Sequence, residues 1–164
     1  MKGQMWSMDF AVSIVIFVLM VGIVIFAWNY AIQNSADQVN LNILENDVIM
    51  ISDTLVRVPG MPEDWNESSV RVIGLAEEEN VLNRTKVLQF VSMGYNQIKI
   101  LLGIANREFY FEMRYPNNTV MDIGGTSLNK GIDPFGQDSS VVVPVERYVI
   151  LNGNIAKMEF FLWF

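Results

Sequence analysis

The stretch FAVSIVIFVLMVGIVIFAW, Phe10 to Trp28, decides how this chain is built. No charged residue occurs between Asp9 and Asp37, and almost every side chain in the run is apolar. At about 1.5 Å of rise per residue, roughly 20 apolar residues in a helix cross a bilayer core about 30 Å thick. A tiny basic leader, Met1-Lys2-Gly3-Gln4, stands at the start of the chain, and the sequence after the run is polar enough for a water-soluble domain. The expectation is one membrane span with one domain on one side of it. A cleaved secretory signal is the other reading; it would have an apolar core of about 7–15 residues and a small-residue cleavage site. Here the core is longer and Trp28-Asn29-Tyr30 follows it, which favours a retained helix. Phe10, Phe17 and Phe26 then belong to its apolar surface, and Trp28 with Tyr30 suits an interfacial aromatic belt.

Composition narrows the function. Of 164 residues, about 30 go to the membrane segment, which leaves room for one domain able to bury a core without staples. There is no Cys, hence no disulfide and no thiolate metal site, and no His, the commonest general base and metal ligand. The net charge is −7, and after Ala36 the chain has 17 acids against 10 bases, so the negative charge lies in the soluble part. Nucleic-acid binding needs a basic footprint, and none is visible. No cofactor fingerprint occurs.

Charge also orients the span. Lys2 and the α-amino group precede it, whereas Asp37, Glu45, Asp47 and Asp53 are the first charges after it. Positive residues stay cytoplasmic, so the N-terminus is expected inside and the domain outside. Three glycosylation sequons, at Asn66, Asn83 and Asn117, agree with an outside location, although so short a motif adds little weight.

The helix does not stop at the membrane edge. No Pro occurs before Pro59, and beyond Gln33 the pattern becomes amphipathic: Leu41, Leu44, Val48, Ile51 and Leu55 recur at spacings of three and four. Ile43 and Met50 widen the stripe, and Val58-Pro59-Gly60 ends it. One helix from about residue 5 to 56 is expected, on the order of 75 Å long. The seam packs either against the protein's own domain or against a second helix. The first reading is preferred, because a coiled coil wants three or four heptads and about two are present.

Beyond residues 57–68, a Pro- and Gly-rich loop, the chain reads as α+β. Val70–Leu75 is expected to be a short strand, Leu82–Ser92 and Asn96–Leu102 two short helices, and Glu108–Tyr115 a half-buried strand with Phe109, Phe111, Met113 and Tyr115 on one face. Gly124–Ser140 reads as a long loop, and Val141–Leu151 with Ile155–Phe164 as a hairpin closed at Asn152-Gly153-Asn154. The whole is a long N-terminal helix packed on a small, mainly antiparallel sheet of about four strands with two short helices. Its parts are a leader at 1–3, span and stem at 4–56, and an outer domain at 57–164. Phe161 and Trp163 share a strand face with Lys157 and Glu159, opposite Met158, Phe160 and Leu162. They are either a contact surface or lie buried under the pair of short helices.

Chemistry is sparse. Glu77-Glu78-Glu79 reads as a solvated turn before a helix, with weak capacity for a cation, and Asp133–Asp138 offers oxygens in a loop. A hydrolase using Glu77, Glu112 or Asp133 has no motif to select a pair. The expectation is a protein that is not an enzyme, with no metal or cofactor.

Lys2, Gly3, Gln4, Asp9 and the run Phe10–Trp28 together resemble archaeal type IV pilin-like proteins with class III signal peptides. In that family a short basic leader ends in Gly, the mature chain often begins with Gln, and an acid stands near the start of the apolar helix. The resemblance implies cleavage between Gly3 and Gln4 by a prepilin-type peptidase. It also implies packing of the apolar helix against copies of itself or related pilins in a filament, driven by a cytoplasmic ATPase and a membrane platform protein. It covers about 55 residues and gives Asp9 the role of meeting a neighbour's new amine. The residues on their own permit a simpler role for Asp9, an interfacial acid favoured by the helix macrodipole.

Overall fold

The structure, a computed structural model, describes the backbone of residues 8–136 and 141–164, and the side chains of all of these except 33–38. The leader lies outside the described residues. The chain divides into two compact units at Asn42/Ile43. Helix α1, Met8–Arg57, belongs to both. It runs without interruption because no Pro falls inside it, and it ends where expected, with Arg57 complementing the dipole of its last turn and Val58 N–H closing on Thr54 O at 3.1 Å.

In the first unit α1 is exposed wherever its side chains are described. In the second, its seam becomes core. Leu44, Val48, Ile51 and Leu55 are buried in one cluster with Phe90, Phe109, Phe111 and Phe160. Burying each such side chain is worth about 1.5–3 kcal/mol. The seam therefore packs on the protein's own domain. It is narrower than the sequence suggested: Leu41, Ile43 and Met50 are 37%, 44% and 59% exposed. The 3.6-residue period turns Ile43 and Met50 onto the flank of the helix, whereas Leu41 keeps the seam's face but belongs to the first unit.

The domain is a six-stranded mixed sheet, made of β1 (Ala76–Glu78), β2 (Val81–Leu82), β3 (Glu108–Arg114), β6 (Asn129–Gly131), β7 (Val142–Leu151) and β8 (Asn154–Trp163). Their order is β1-β2-β7-β8-β3-β6. A separate small hairpin, β4 (Asp122–Ile123) with β5 (Thr126–Ser127), stands apart from this sheet. Helices α2 (Arg84–Ser92) and α3 (Tyr95–Leu101) pack on the core face, Phe90 edge-on to Phe111 and Tyr95 stacked on Phe109, each with ring centroids 4.9 Å apart. The β7–β8 hairpin has the two-residue loop expected. Leu151 pairs with Asn154, and Asn152 and Gly153 both take positive φ, at 53° and 75°, as the right-handed strand twist demands.

Several expectations are corrected. Val70–Leu75 is not a strand. Arg71 and Val72 both donate to Met61 O, and the segment turns in so that Ile73 and Leu75 enter the core. Gly74 permits this, since a Cβ there would strike Val58 O. The strand starts later, at Ala76, so Glu77-Glu78-Glu79 forms one side and the turn of the β1–β2 hairpin rather than a helix approach. The dipole role at α2 falls to Asn83, whose Oδ1 accepts from Thr85 N at 2.9 Å and Lys86 N at 3.3 Å. The stretch after Gly124 is not all loop, because β5 and β6 form in it. The sheet is mixed, with β2 parallel to β7, and larger than four strands. Tyr115 does not join the buried face and is 37% exposed, lying past the end of β3 in the turn that Asn117 and Asn118 make.

Phe161 and Trp163 match neither expectation fully. Trp163 is buried, but α2 and α3 cover the opposite face. Phe161 is half-buried against Tyr110 and Phe135, with centroids 6.1 and 5.7 Å away.

A polar clasp holds α3 to β3. Tyr95 OH donates to Glu108 Oε2, Lys99 Nζ donates to Glu108 Oε1 at 2.8 Å, and Phe109 N–H donates to Tyr95 Oη at 3.2 Å. Burial alone would raise the Glu108 carboxyl, but the bonds from Lys99 and Tyr95 outweigh it and hold its pKa below the ordinary value. Burial, then the bond to Glu108, pushes the Tyr95 hydroxyl upward.

Two predictions follow from this packing. In chemical denaturation of the detergent-solubilised chain, Leu55→Ala should cost about 2–5 kcal/mol, whereas Met50→Ala should cost under about 0.5 kcal/mol; equal costs would contradict the observed seam. A carboxylate whose folded pKa is depressed adds stability above its unfolded pKa, and that stability is lost as pH falls through the folded value. The stability advantage of the native chain over Glu108→Gln should therefore be full at pH 7 and shrink on acidification below the ordinary value of 4.5. Thermal melts from pH 7 to 3 read this directly, and a gap that stays constant would reject it.

Candidate membrane and assembly surface

The candidate site is a surface rather than a pocket. Met8–Ile32 of α1 is long and apolar enough to cross a membrane, and none of its most apolar window is buried. Its 25 residues span about 37 Å, somewhat more than the hydrocarbon thickness of about 30 Å. The aromatic residues singled out from the sequence all project outward, Phe10 49%, Phe17 68%, Phe26 74% and Trp28 69% exposed. Monomeric soluble proteins rarely show contiguous apolar patches beyond a few hundred Å². In water such a helix would aggregate, so its stable surroundings are lipid or other apolar helices.

Asp9 stands in the first turn of α1 with its side chain exposed, and its carbonyl accepts from Ser13 Oγ at 2.7 Å. A negative charge there complements the helix dipole. Gly3 and Gln4, the expected cleavage pair, lie outside the described residues.

The three sequon asparagines share a local geometry. Each Oδ1 accepts the N–H two residues on: Asn66 from Ser68 at 2.9 Å, Asn83 from Thr85 at 2.9 Å and Asn117 from Thr119 at 3.1 Å. Thr119 Oγ1 also donates to Asn117 Oδ1, at 2.7 Å. Asn66 and Asn117 are exposed, while Asn83 is half-buried as the cap of α2.

Asn83 also lines a shallow cleft of about 620 Å³ with Glu63, Asp64, Glu77 and Lys86. Lys86 is buried, and its ammonium donates to Pro59 O at 2.7 Å and Ala76 O at 3.2 Å. Trp65 Nε1 donates to Pro59 O at 3.1 Å and Gly74 O at 2.9 Å. These bonds tie the loop after α1 to the segment Gly74–Ala76, a structural duty. Neither Lys86 nor Trp65 stood out in the sequence. Only Val58-Pro59-Gly60 hinted that a helix end needed partners.

The acids considered for catalysis are not gathered. Glu77 edges the cleft on β1, Asp133 accepts from Phe135 N–H at 2.9 Å in a turn, and Glu112 lies on the outer face of β3. Glu112 is already engaged, accepting from Arg114 Nε at 2.7 Å and Tyr110 OH at 3.2 Å. Beside it Glu159 pairs with Arg114 at 3.2 Å and Lys157 at 2.5 Å. Glu112 and Glu159 are thus buried charges held by partners, as such groups must be. Among the described residues no group of three or more His, Cys, Asp or Glu is placed to hold a metal ion.

Comparison with known proteins found no matching family model, curated protein or solved structure.

An acid in mid-helix tests the surface. On insertion scales, one Asp at the centre of a span costs about 2.5–3.5 kcal/mol. Val18→Asp should therefore reduce the share of the chain resisting alkaline carbonate extraction from membranes, with the domain still folded by circular dichroism. Unchanged retention would refute lipid contact by this face.

Proposed function

We propose that this chain is a pilin-like structural subunit of an archaeal cell-surface filament. It is inserted in the cell membrane by the apolar helix with its N-terminus in the cytoplasm and its α+β domain outside, and it assembles through that helix once the leader is removed. The observation that carries this reading is the continuity of α1: an exposed apolar stretch, Met8–Ile32, runs without a break into a stem whose buried residues are the domain's own core. A simple membrane tether needs no such continuity, because a flexible linker would serve. A filament subunit needs both parts in one chain, an apolar helical surface for the assembled core and a domain with a core of its own.

On this reading the partners are the membrane, a prepilin-type peptidase acting at Gly3-Gln4, an assembly platform protein, and copies of the chain or related pilins. The role is structural. The apolar surface that faces lipid before assembly is the surface that faces neighbouring helices after it, because either environment removes it from water. Asp9 at the helix mouth would pair with the amine created on a neighbour.

A second reading is a signal-anchored extracellular accessory or sensor domain that never polymerises. The place of Asp9 favours it: counted from Gln4, Asp9 is the sixth residue, whereas the family carries its acid at the fifth.

Intact-mass measurement of the surface protein separates the two. The pilin-like reading expects loss of Met1-Lys2-Gly3, a block of that loss by Gly3→Val, and sedimentation as polymer; retention of Lys2 on the surface protein would sink it. An outside domain also makes the sequons accessible. Glycopeptide mapping should find sugar on Asn66 and Asn117 ahead of Asn83, whose amide is held against α2; the reverse preference would contradict this placement.

A further inference from the structure

Helix α1 carries a second apolar row, separate from the buried seam. In the sequence Ile32, Val39, Ile43 and Met50 stand seven, four and seven residues apart, a heptad-type row on one uninterrupted helix. All four are exposed, at 54%, 54%, 44% and 59%. At 3.6 residues per turn, Ile43 and Met50 lie within about 20° of each other and about 90–150° around the helix from Leu44, Val48, Ile51 and Leu55. Ion pairs to the domain bound this face on both sides, Asp47 with Arg107 on one and Asp53 with Arg147 on the other. Between Ile43 and Met50 the row passes one polar residue, the exposed Asn46.

Lipid tails do not cover this row, because Asp37, Glu45 and Asp47 share its stretch of helix. By itself the row is under three heptads, too short for a stable coiled coil. It gains length only by running on into Met8–Ile32, which is exposed and apolar nearly all round. The occupant is therefore a helix that crosses the same membrane parallel to α1 and leaves it with an apolar row at the same height. A second copy of this chain has all of these properties. We propose that two copies pair along this row, α1 parallel to α1 and in register. Asn46 selects both the partner and the register. A carboxamide holds donors and an acceptor, so it is its own complement, and a single Asn in an apolar seam fixes register for that reason. In register, Asn46 faces Asn46. A shift by one heptad sets Asn46 of one copy against Val39 of the other and leaves its amide unmatched. No like charges meet along the pair, since Asp47 of one copy flanks Asn42 of the other. Beyond Met50 the row stops, with Asp53 taken by Arg147 at 2.8 Å and Arg57 by Glu79 at 3.4 Å. The pairing leaves the buried seam on its own domain and keeps both domains on one side of the membrane. It rests on the proposed membrane placement of α1 and requires neither leader cleavage nor polymerisation.

The absence of Cys gives a clean test. Helix axes about 8–10 Å apart bring facing Cα atoms to about 4–6 Å, within reach of a disulfide. Glu45 is exposed but turned away from the row. The full chain carrying Ile43→Cys, in native membranes under mild oxidation, should form a disulfide-linked homodimer about tenfold more than one carrying Glu45→Cys, because chance collision does not hold thiols in disulfide geometry. Adding Asn46→Glu sets two carboxylates face to face and should bring the Ile43→Cys dimer down to the Glu45→Cys level, with the melting transition unchanged. Equal crosslinking from the two positions, a dimer that survives Asn46→Glu, or crosslinking to a different protein overturns the inference. Co-expression of Ile43→Cys and Met50→Cys chains reads the register: a mixed disulfide that outnumbers the two matched ones marks a stagger of one heptad and overturns it as well. The N-terminal mass of the same samples is read in parallel. An uncrosslinked Ile43→Cys chain recovered from the membranes overturns this inference alone, and a chain recovered only outside the membrane fraction overturns the membrane placement with it. A crosslinked chain that keeps Lys2 supports the pairing and overturns the filament reading alone.

Discussion

The burial of one helical seam, Leu44, Val48, Ile51 and Leu55, against the sheet is the constraint on which the rest depends. It makes the last turns of α1 a part of the domain core rather than a handle attached to it. Phe109, Phe111 and Phe160 need that helix to be dry, since α2 and α3 are short and together cannot cover a six-stranded sheet. Two ion pairs at the rim, Asp47 with Arg107 and Asp53 with Arg147, the second at 2.8 Å, set the helix against the domain without carrying its stability. The end of the helix is then closed by backbone groups from elsewhere: Leu75 N–H donates to Leu55 O and Asn80 N–H to Val56 O, each at 2.9 Å.

The same helix has two solvents. Up to Ile32 its apolar side chains are exposed all around, and from Leu44 on one apolar face is buried while Ile49 and Met50 stay exposed on the flanks. A helix that is hydrophobic all round belongs in lipid or among other helices; one with a stripe belongs on a globular core. The polar, charge-poor stretch between the two regimes contains no Pro or Gly, so nothing in it breaks the helix.

Much of this was legible early. Alternation in Glu108–Arg114, the Asn152-Gly153 turn and the helical spacing of the stem each give a local signal strong enough to survive folding. The errors share one cause. Val70–Leu75 has the composition of a strand, but the carbonyls at the end of α1 and the shape of Gly74 recruit it for another task. Glu77–Glu79 looks like a helix approach, but a neighbouring edge of β7 turns it into a hairpin. Short segments take their structure from what lies beside them, and a two-residue strand such as β2 leaves no pattern to read.

For the functional surface the division is sharper. The sequence by itself determined that residues 10–28 cannot rest in water, that the domain carries the negative charge, and that neither thiol nor imidazole chemistry is available. Those are properties of side chains, independent of their neighbours. Only the tertiary structure decided that the stem seam is satisfied within its own domain, that Glu112 and Glu159 are spent on Arg114 and Lys157, and that, among the described residues, β2 pairs with β7 only at Ile150 and Leu151. Each of these depends on which backbone groups and charges meet across distances in sequence that no local pattern encodes.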